Sequence, residues 1–267
     1  MRVRAGRSVV AFWILGAAFV ESSPAVFAAT EPGRFDHGAF DRLMRRHVTT
    51  DGVDYEAFAH APELASYLKQ LEGAQPSALS ELERLAFWIN AYNAHTIHAV
   101  VIHRPKQSIR DIVLPGRDGQ PGSVWKAPIV RAGGRVHTLD EIEREVIPKG
   151  FREPRIHFAL VCAGASCPPL REEAYTGERL SAQLEDQAQR FLHGRAKGCR
   201  VDAKNGIVHV SEIFFWYKED FGDDVAVGRY IARYLPDSLE RRVLESGRFR
   251  LVAIPFDWSL NRARPSP

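Results

Sequence analysis

The chain has 267 residues, 36 Lys and Arg against 33 Asp and Glu, 45% hydrophobic residues and three cysteines. A net charge of only +3 argues against nucleic acid or an acidic membrane surface as the main partner. Three cysteines cannot all pair within one chain, so at least one is free or is joined to another molecule.

The N-terminal pattern is a targeting signal rather than part of a fold. Arg2, Arg4 and Arg7 precede an almost wholly apolar run, Val9 to Val20, which is followed by Ser22-Ser23-Pro24 and the small-residue pattern Val26-Phe27-Ala28-Ala29. This predicts a secretory signal peptide over residues 1–28 and a single mature domain over 29–267, in the periplasm or secreted. An uncleaved anchor is the alternative, though the apolar run is short for a membrane span. No later run is apolar enough to cross a bilayer, so no integral membrane segment is expected after signal removal. Loss of three arginines and Glu21 with the signal lowers the net charge from +3 to about +1. An exported compartment permits disulfides.

Helical spacing of Phe35, Phe40, Leu43, Met44 and Val48 predicts a first helix. A turn at 49–54 leads to a second, Tyr55 to Leu71, with Pro62 marking its start or a break. Ser80-Glu81-Leu82-Glu83 is a capping box that opens the strongest helix, Glu81 to His103, ended by Arg104-Pro105. Its broad apolar face, from Leu82 through Leu85, Ile89 and Ile97 to Val100, places it in the core. Asn90 and Asn93 lie one turn apart in that apolar setting. Buried amides need partners, so they either pin a neighbouring loop or line a cleft. His95 and His98 read as packed histidines rather than metal ligands.

Ser108 to Leu114 reads as a short helix and 115–122 as a loop. Gly133-Gly134 signals a hairpin, and Thr138-Leu139-Asp140-Glu141 is a second capping box, for a helix running to Ile147 and stopped by Pro148. Arg155 to Val161 reads as a buried strand. A helix over Glu178 to His193 follows, then a hairpin around Asn205-Gly206 and a short aromatic helix, Ile213 to Tyr217. Helices over Val225 to Leu235 and Ser238 to Leu244 precede a last strand, Phe249 to Pro255. The interleaving predicts an α+β fold, with helices packed on a modest, mostly antiparallel sheet. A papain-like layout is one way to arrange these elements.

Chemistry concentrates between residues 155 and 170. On a strand, His157 and Cys162 point to opposite faces. Cys167 lies beyond the small-residue loop Ala163-Gly164-Ala165-Ser166 and is held by the stiff exit Pro168-Pro169. The sharp expectation is nucleophilic catalysis by Cys167, with Cys162 as the alternative nucleophile and His157 as base. Glu143 or Glu141 would orient the imidazole, and backbone amides near 165–167, or Asn90 or Asn93, would serve an oxyanion. Asn90, Asn93 and Trp88 are the candidate substrate-binding residues. The competing expectation is a Cys162–Cys167 disulfide with His157 as a packed core residue. A metal held by His157, Cys162 and Cys167 lacks a fourth ligand, so no metal is assigned. The aromatic run Phe214-Phe215-Trp216-Tyr217 reads as core packing rather than a ligand platform. No phosphate loop, dinucleotide fingerprint, Gly-x-Ser-x-Gly elbow or His-Glu-x-x-His occurs, and no cofactor is assigned.

Several motifs together resemble the domain-of-unknown-function 547 family. They are Leu85-Ala86-Phe87-Trp88-Ile89-Asn90-Ala91-Tyr92-Asn93-Ala94, then Leu139-Asp140-Glu141-Ile142-Glu143, then Arg155-Ile156-His157-Phe158-Ala159-Leu160 with Cys162 and Ser166-Cys167-Pro168-Pro169-Leu170. Ile213 to Phe221 and Asp257-Trp258-Ser259-Leu260-Asn261 extend the likeness over nearly all of the mature chain. One departure is Arg144, where the family's pattern often carries histidine. The resemblance implies an exported or envelope protein of bacteria whose Asn90, Asn93, Glu143, His157, Cys162 and Cys167 belong to one site. The expected function is an exported cysteine-dependent hydrolase or acyl-transfer enzyme for a small-molecule, peptide-like or amide substrate. The alternative is a non-catalytic envelope binding or scaffold protein with the two cysteines bridged.

Overall fold

Ser80 starts the element on which the rest is built. Its hydroxyl accepts from the Glu83 N–H at 3.4 Å, and the helix it caps runs Glu81–His103 before Arg104 turns left-handed at φ 44°. This structure is a computed structural model describing residues 33–263, so the expected signal peptide at 1–28 lies outside the described residues. The long helix is the fourth α-helix among the described residues. Ahead of it come α1 (Gly38–His47), α2 (Tyr55–Ala59) and α3 (Pro62–Gly73), with the small hairpin β1 (Val48–Thr49) and β2 (Gly52–Val53) between α1 and α2. Pro62 does divide the second predicted helix. It sits in the first turn of α3, where its missing N–H has no intrahelical partner to lose.

Helix α4 (Glu81–His103) is buried along most of its length, from Leu85 through Ile97, and α2 and α3 pack against it. Leu82, counted with its apolar face, instead lies exposed in the first turn. Phe40 of α1 stacks on Tyr67 of α3, with ring centroids 4.8 Å apart.

The segment 115–122, read as a loop, forms part of a hairpin, β3 (Val113–Pro115) with β4 (Pro121–Ser123). The predicted Gly133-Gly134 turn joins β5 (Val130–Ala132) to β6 (Arg135–His137), both glycines adopting positive φ as a two-residue hairpin turn requires. The Thr138 capping box is complete: Thr138 accepts from the Glu141 N–H, and the Glu141 carboxylate accepts from the Thr138 N–H. Behind it, α5 (Leu139–Glu141) passes through a π-helical turn, Ile142–Val146, into α6 (Ile147–Gly150). Pro148 has no N–H to give the Arg144 carbonyl, so an α-helical ladder could not be completed there. The wider turn bonds the Ile147 N–H to the Ile142 carbonyl instead.

The expected strand at Arg155 to Val161 is absent. Pro154–Phe158 is a 3₁₀ helix, started by the Glu153 carboxylate on the Arg155 N–H at 3.1 Å and by Pro154 at its first position. Strand alternation therefore does not govern where His157 and Cys162 point. After α7 (Leu180–His193), β7 (Cys199–Asp202) pairs antiparallel with β8 (Ile207–Ser211) around the Asn205-Gly206 turn. Four short helices follow, α8 (Ile213–Trp216), α9 (Lys218–Phe221), α10 (Asp224–Ala232) and α11 (Leu239–Ser246). The last strand, β9 (Arg250–Ile254), joins β8 in parallel register, Val208 opposite Leu251. The architecture is α+β, with small, mostly antiparallel sheets.

Two apolar cores result. One surrounds α4 and takes in α1, α3, Ile142, Ile156 and Leu160; the other is built on α7, β8, α8 and α10 and takes in Phe158. The 3₁₀ turn thus sends Ile156 into one core and Phe158 into the other. His157 sits between them in sequence, at the seam.

Candidate functional site

A cleft of about 320 Å³ opens at that seam. The first core supplies Tyr92, Leu160 and Cys162, and the second supplies Ile213 and Tyr217. Asp140, Glu143 and Arg144 come from the π-bulged helix. Trp125, Trp216, Phe256 and Trp258 complete the wall.

His157 is the most constrained polar group. Its ring is buried and stacks on Tyr217, with centroids 3.8 Å apart and planes 19° from parallel. Its Nε2 meets Asp220 Oδ2 at 2.6 Å. Burial pushes the imidazole below its usual range, against the opposing pull of Asp220. Burial thus favours the neutral ring. Asp220 can only accept, so the ring proton belongs on Nε2. That leaves Nδ1 as a bare acceptor, buried and with no hydrogen-bond partner among the described residues.

Glu143 does not orient His157. Its two oxygens are taken by tyrosines, Tyr92 donating to Oε2 at 3.3 Å and Tyr217 to Oε1. Burial pushes the carboxyl above the ordinary carboxylate range, opposed by these two donors. The link to His157 runs through Tyr217, whose hydroxyl serves Glu143 while its ring face serves the imidazole. The guanidinium of Arg144 lies 5.3 Å from the centre of the same ring. Glu141, the other candidate orienter, is committed to the Thr138 cap and to Arg117.

The cysteine nucleophile meets a direct obstacle. Cys162 and Cys167 are joined in a disulfide, and a bridged sulfur has no thiolate to offer. Cys162 is partly exposed on the cleft wall, whereas Cys167 is buried and is not among the lining residues. Cys199, the third cysteine, is free and buried. Desolvation pushes its thiol up to about 12, which makes it an inert core residue.

The proposed substrate-binding amides are occupied elsewhere. Asn90 donates to the Tyr175 carbonyl at 2.7 Å and accepts from the Tyr175 N–H at 3.0 Å. Asn93 makes the same kind of pair with the Ala159 carbonyl and the Val161 N–H, both at 2.9 Å. Each pins a passing backbone, the plainer of the two expectations. Asn93 holds the chain between His157 and Cys162, so it positions the site without lining it. Trp88 is likewise outside the cleft, packed edge-on against Phe87 and His137. Among the described residues, no group of three or more His, Cys, Asp or Glu is arranged to hold a metal.

Residues 76–192 match the model of a family described as "Protein of unknown function, DUF547". The chain is similar to that family over this stretch, 117 of its 267 residues. No curated protein and no solved structure matches it. The matched region supplies Tyr92, Glu143, His157 and Cys162. Trp216, Tyr217, Asp220, Phe256 and Trp258 lie beyond it, so the cleft is closed by the segment that follows the matched region.

No site role is legible in the sequence for Tyr92, Tyr217, Asp220, Trp125, Trp216 or Trp258, all of which line the cleft or hold His157. Trp216 was taken as core but stands 38% exposed on the cleft wall, while Phe214 beside it is buried as expected. Tyr217 and Asp220, both in one quoted motif, were the available signal. Nothing local tied them to a histidine about sixty positions away.

Proposed function

We propose that this cleft is a catalytic site in which His157, oriented by Asp220, acts as general base. The chain would then be a hydrolase or acyl-transfer enzyme for a peptide-like or amide substrate. With the bridge closed, the nucleophile is water or a substrate hydroxyl rather than cysteine. The observation that carries this reading is the His157–Asp220 pair, in which one ring nitrogen is held at 2.6 Å and the other is left bare. That is the orienter-and-base half of the triad logic, with the two ring nitrogens exchanged. Seclusion in a largely apolar wall strengthens electrostatic interactions with a bound substrate. The leader-like pattern at residues 2–29 and the disulfide support a periplasmic or secreted setting.

Turnover of a panel of chromogenic anilides, amides and esters tests it. For any member that is hydrolysed, His157→Gln and Asp220→Asn should each lower kcat by about 10²- to 10⁴-fold, with KM nearly unchanged. Turnover unaffected by His157→Gln would overturn the reading.

A second reading is non-catalytic binding. It is favoured by the closed disulfide and by the tyrosine cover over both oxygens of Glu143. Tryptophan quenching by a panel member that is never turned over would select it.

A further inference from the structure

The two bridged sulfurs are not equivalent. Cys162 lines the cleft and is partly exposed, whereas Cys167 is 1% exposed and its Sγ accepts a hydrogen bond from the Gly164 N–H at 3.3 Å. We propose that Cys162–Cys167 is a redox-active pair that exchanges with small alkyl thiols entering the cleft, Cys162 being the sulfur attacked and Cys167 the sulfur that leaves.

The step balances without a further reagent. An incoming thiolate bonds to Cys162 Sγ, the Cys162–Cys167 bond breaks, and its electron pair departs on Cys167 as a thiolate. The Gly164 N–H already points at that sulfur, and a hydrogen bond to a thiolate is stronger than one to a disulfide. A second thiol then attacks the mixed disulfide. It frees Cys162 and leaves as the oxidised disulfide of the reductant, so one bridge is reduced and one is formed. Arg144, exposed on the cleft wall, places a cation where the thiolate must enter.

The loop is built to survive opening. Ala165 N–H donates to Ser259, Ser166 N–H to Asp257, and Asn261 N–H to the Ala163 carbonyl, while Ser166 Oγ accepts from Asp257 N–H. Lys197 reaches the Ala165 carbonyl at 3.2 Å. These bonds fix residues 163–166 against the C-terminal segment without help from the sulfurs, so the freed thiols stay close enough to close again. Ala163, next to the attacked sulfur, holds φ 61°, a left-handed conformation that a residue with a side chain rarely adopts and that the Asn261 bond to its carbonyl holds in place. This exchange does not depend on the general-base reading of His157.

The folded protein is incubated with reduced glutathione at pH 8, acid-quenched at intervals, and mapped by mass spectrometry after alkylation. The expected result is a transient glutathione adduct on Cys162, followed by two alkylated thiols, at least tenfold faster than alkylation of Cys199. With oxidised glutathione in place of the reduced form, the free Cys162 of Cys167→Ser should take a glutathione adduct that persists, releasing one reduced glutathione. In Cys162→Ser, Cys167 should stay unmodified by oxidised glutathione over the same interval. Should either variant fail to fold, the adduct position in the wild-type time course decides alone. A bridge that resists glutathione until denaturant is added, or an adduct that forms first on Cys167, overturns the proposal.

Discussion

His157 and Tyr217 lie face to face, 3.8 Å between ring centroids, and this stack is one of the contacts that join the matched region to the segment beyond it. Tyr217 also donates to Glu143, so a ring stack and a buried carboxyl share one residue. Tyr217→Phe keeps the stack but leaves Glu143 Oε1 without its donor, and should cost about 1–2 kcal/mol in urea unfolding. Tyr217→Ala removes the stack as well and should cost more, about 2–4 kcal/mol, below the range for a fully buried ring because Tyr217 is only partly buried. Equal losses for the two variants would mean that the stack contributes nothing.

Asn90 and Asn93 separate pinning from substrate contact. Each saturates a buried backbone N–H and C=O, so Asn93→Ala should leave two orphaned groups and cost about 2–4 kcal/mol. Asn93→Asp removes the donor and buries a charge beside a carbonyl, and should be at least as damaging. Urea midpoints with an unchanged m-value are the measurement. A stable Asn93→Ala protein that has lost ligand binding would restore the substrate-contact reading.

Much of this fold was legible in the sequence, wherever a local rule decides. The serine cap at Ser80, the capping box at Thr138, the glycine turns at 133–134 and 205–206, and the break at Pro62 all rest mainly on local chemistry. The Ser80 cap forms without its reciprocal glutamate bond, because the Ser80 N–H goes to the Gly33 carbonyl. The long α4 was visible because burial shows as composition. The strand at 155–161 failed because a short run of Ile, Phe, Leu and Val carries no period of its own. Glu153-Pro154, a helix start, was the overlooked sign. For the candidate site, His157, Glu143 and Cys162 line the cleft and the Cys162–Cys167 pairing is legible as one of two expectations, but the partners of His157 and Glu143 are not legible. Asp220 and Tyr217 reach them through tertiary packing of two cores, which no spacing within one segment records.

Reducing the bridge should leave the protein folded. In the chain-entropy picture, a ring of this small size stabilises by about 2 kcal/mol, and the backbone bonds to Asp257, Ser259 and Asn261 remain. The Cys162→Ala, Cys167→Ala double variant should therefore keep its far-ultraviolet circular dichroism and lose about 2 kcal/mol in urea. Loss of cooperative unfolding would show that the bridge, rather than the pinned loop, maintains this region.

Acid should weaken the fold in a defined window. Burial pushes both His37 and His95 down to about 4. His95 shows why it refuses a proton. Its Nδ1 lies 2.8 Å from the Ala91 carbonyl, and its Nε2 accepts from the Arg131 N–H, so a second ring proton would face a donor. A histidine whose folded pKa lies below its unfolded value stabilises fully above the unfolded value, about 6.5. That contribution is lost as pH falls from there toward about 4, because the unfolded chain takes up protons that the fold rejects. Glu143, raised by burial, has the opposite sign and partly offsets the loss as pH falls. At about 1.4 kcal/mol per pKa unit, the two histidines together set an upper bound of several kcal/mol between pH 6.5 and 4. Urea unfolding at half-unit steps from pH 7 to 4 should show stability falling throughout that range. His95→Gln, which cannot titrate, should flatten the slope in part while lowering stability at pH 7, since His98, His137 and His157, also pushed down by burial, act in the same direction. A slope unchanged in His95→Gln would assign the acid sensitivity to groups other than this histidine.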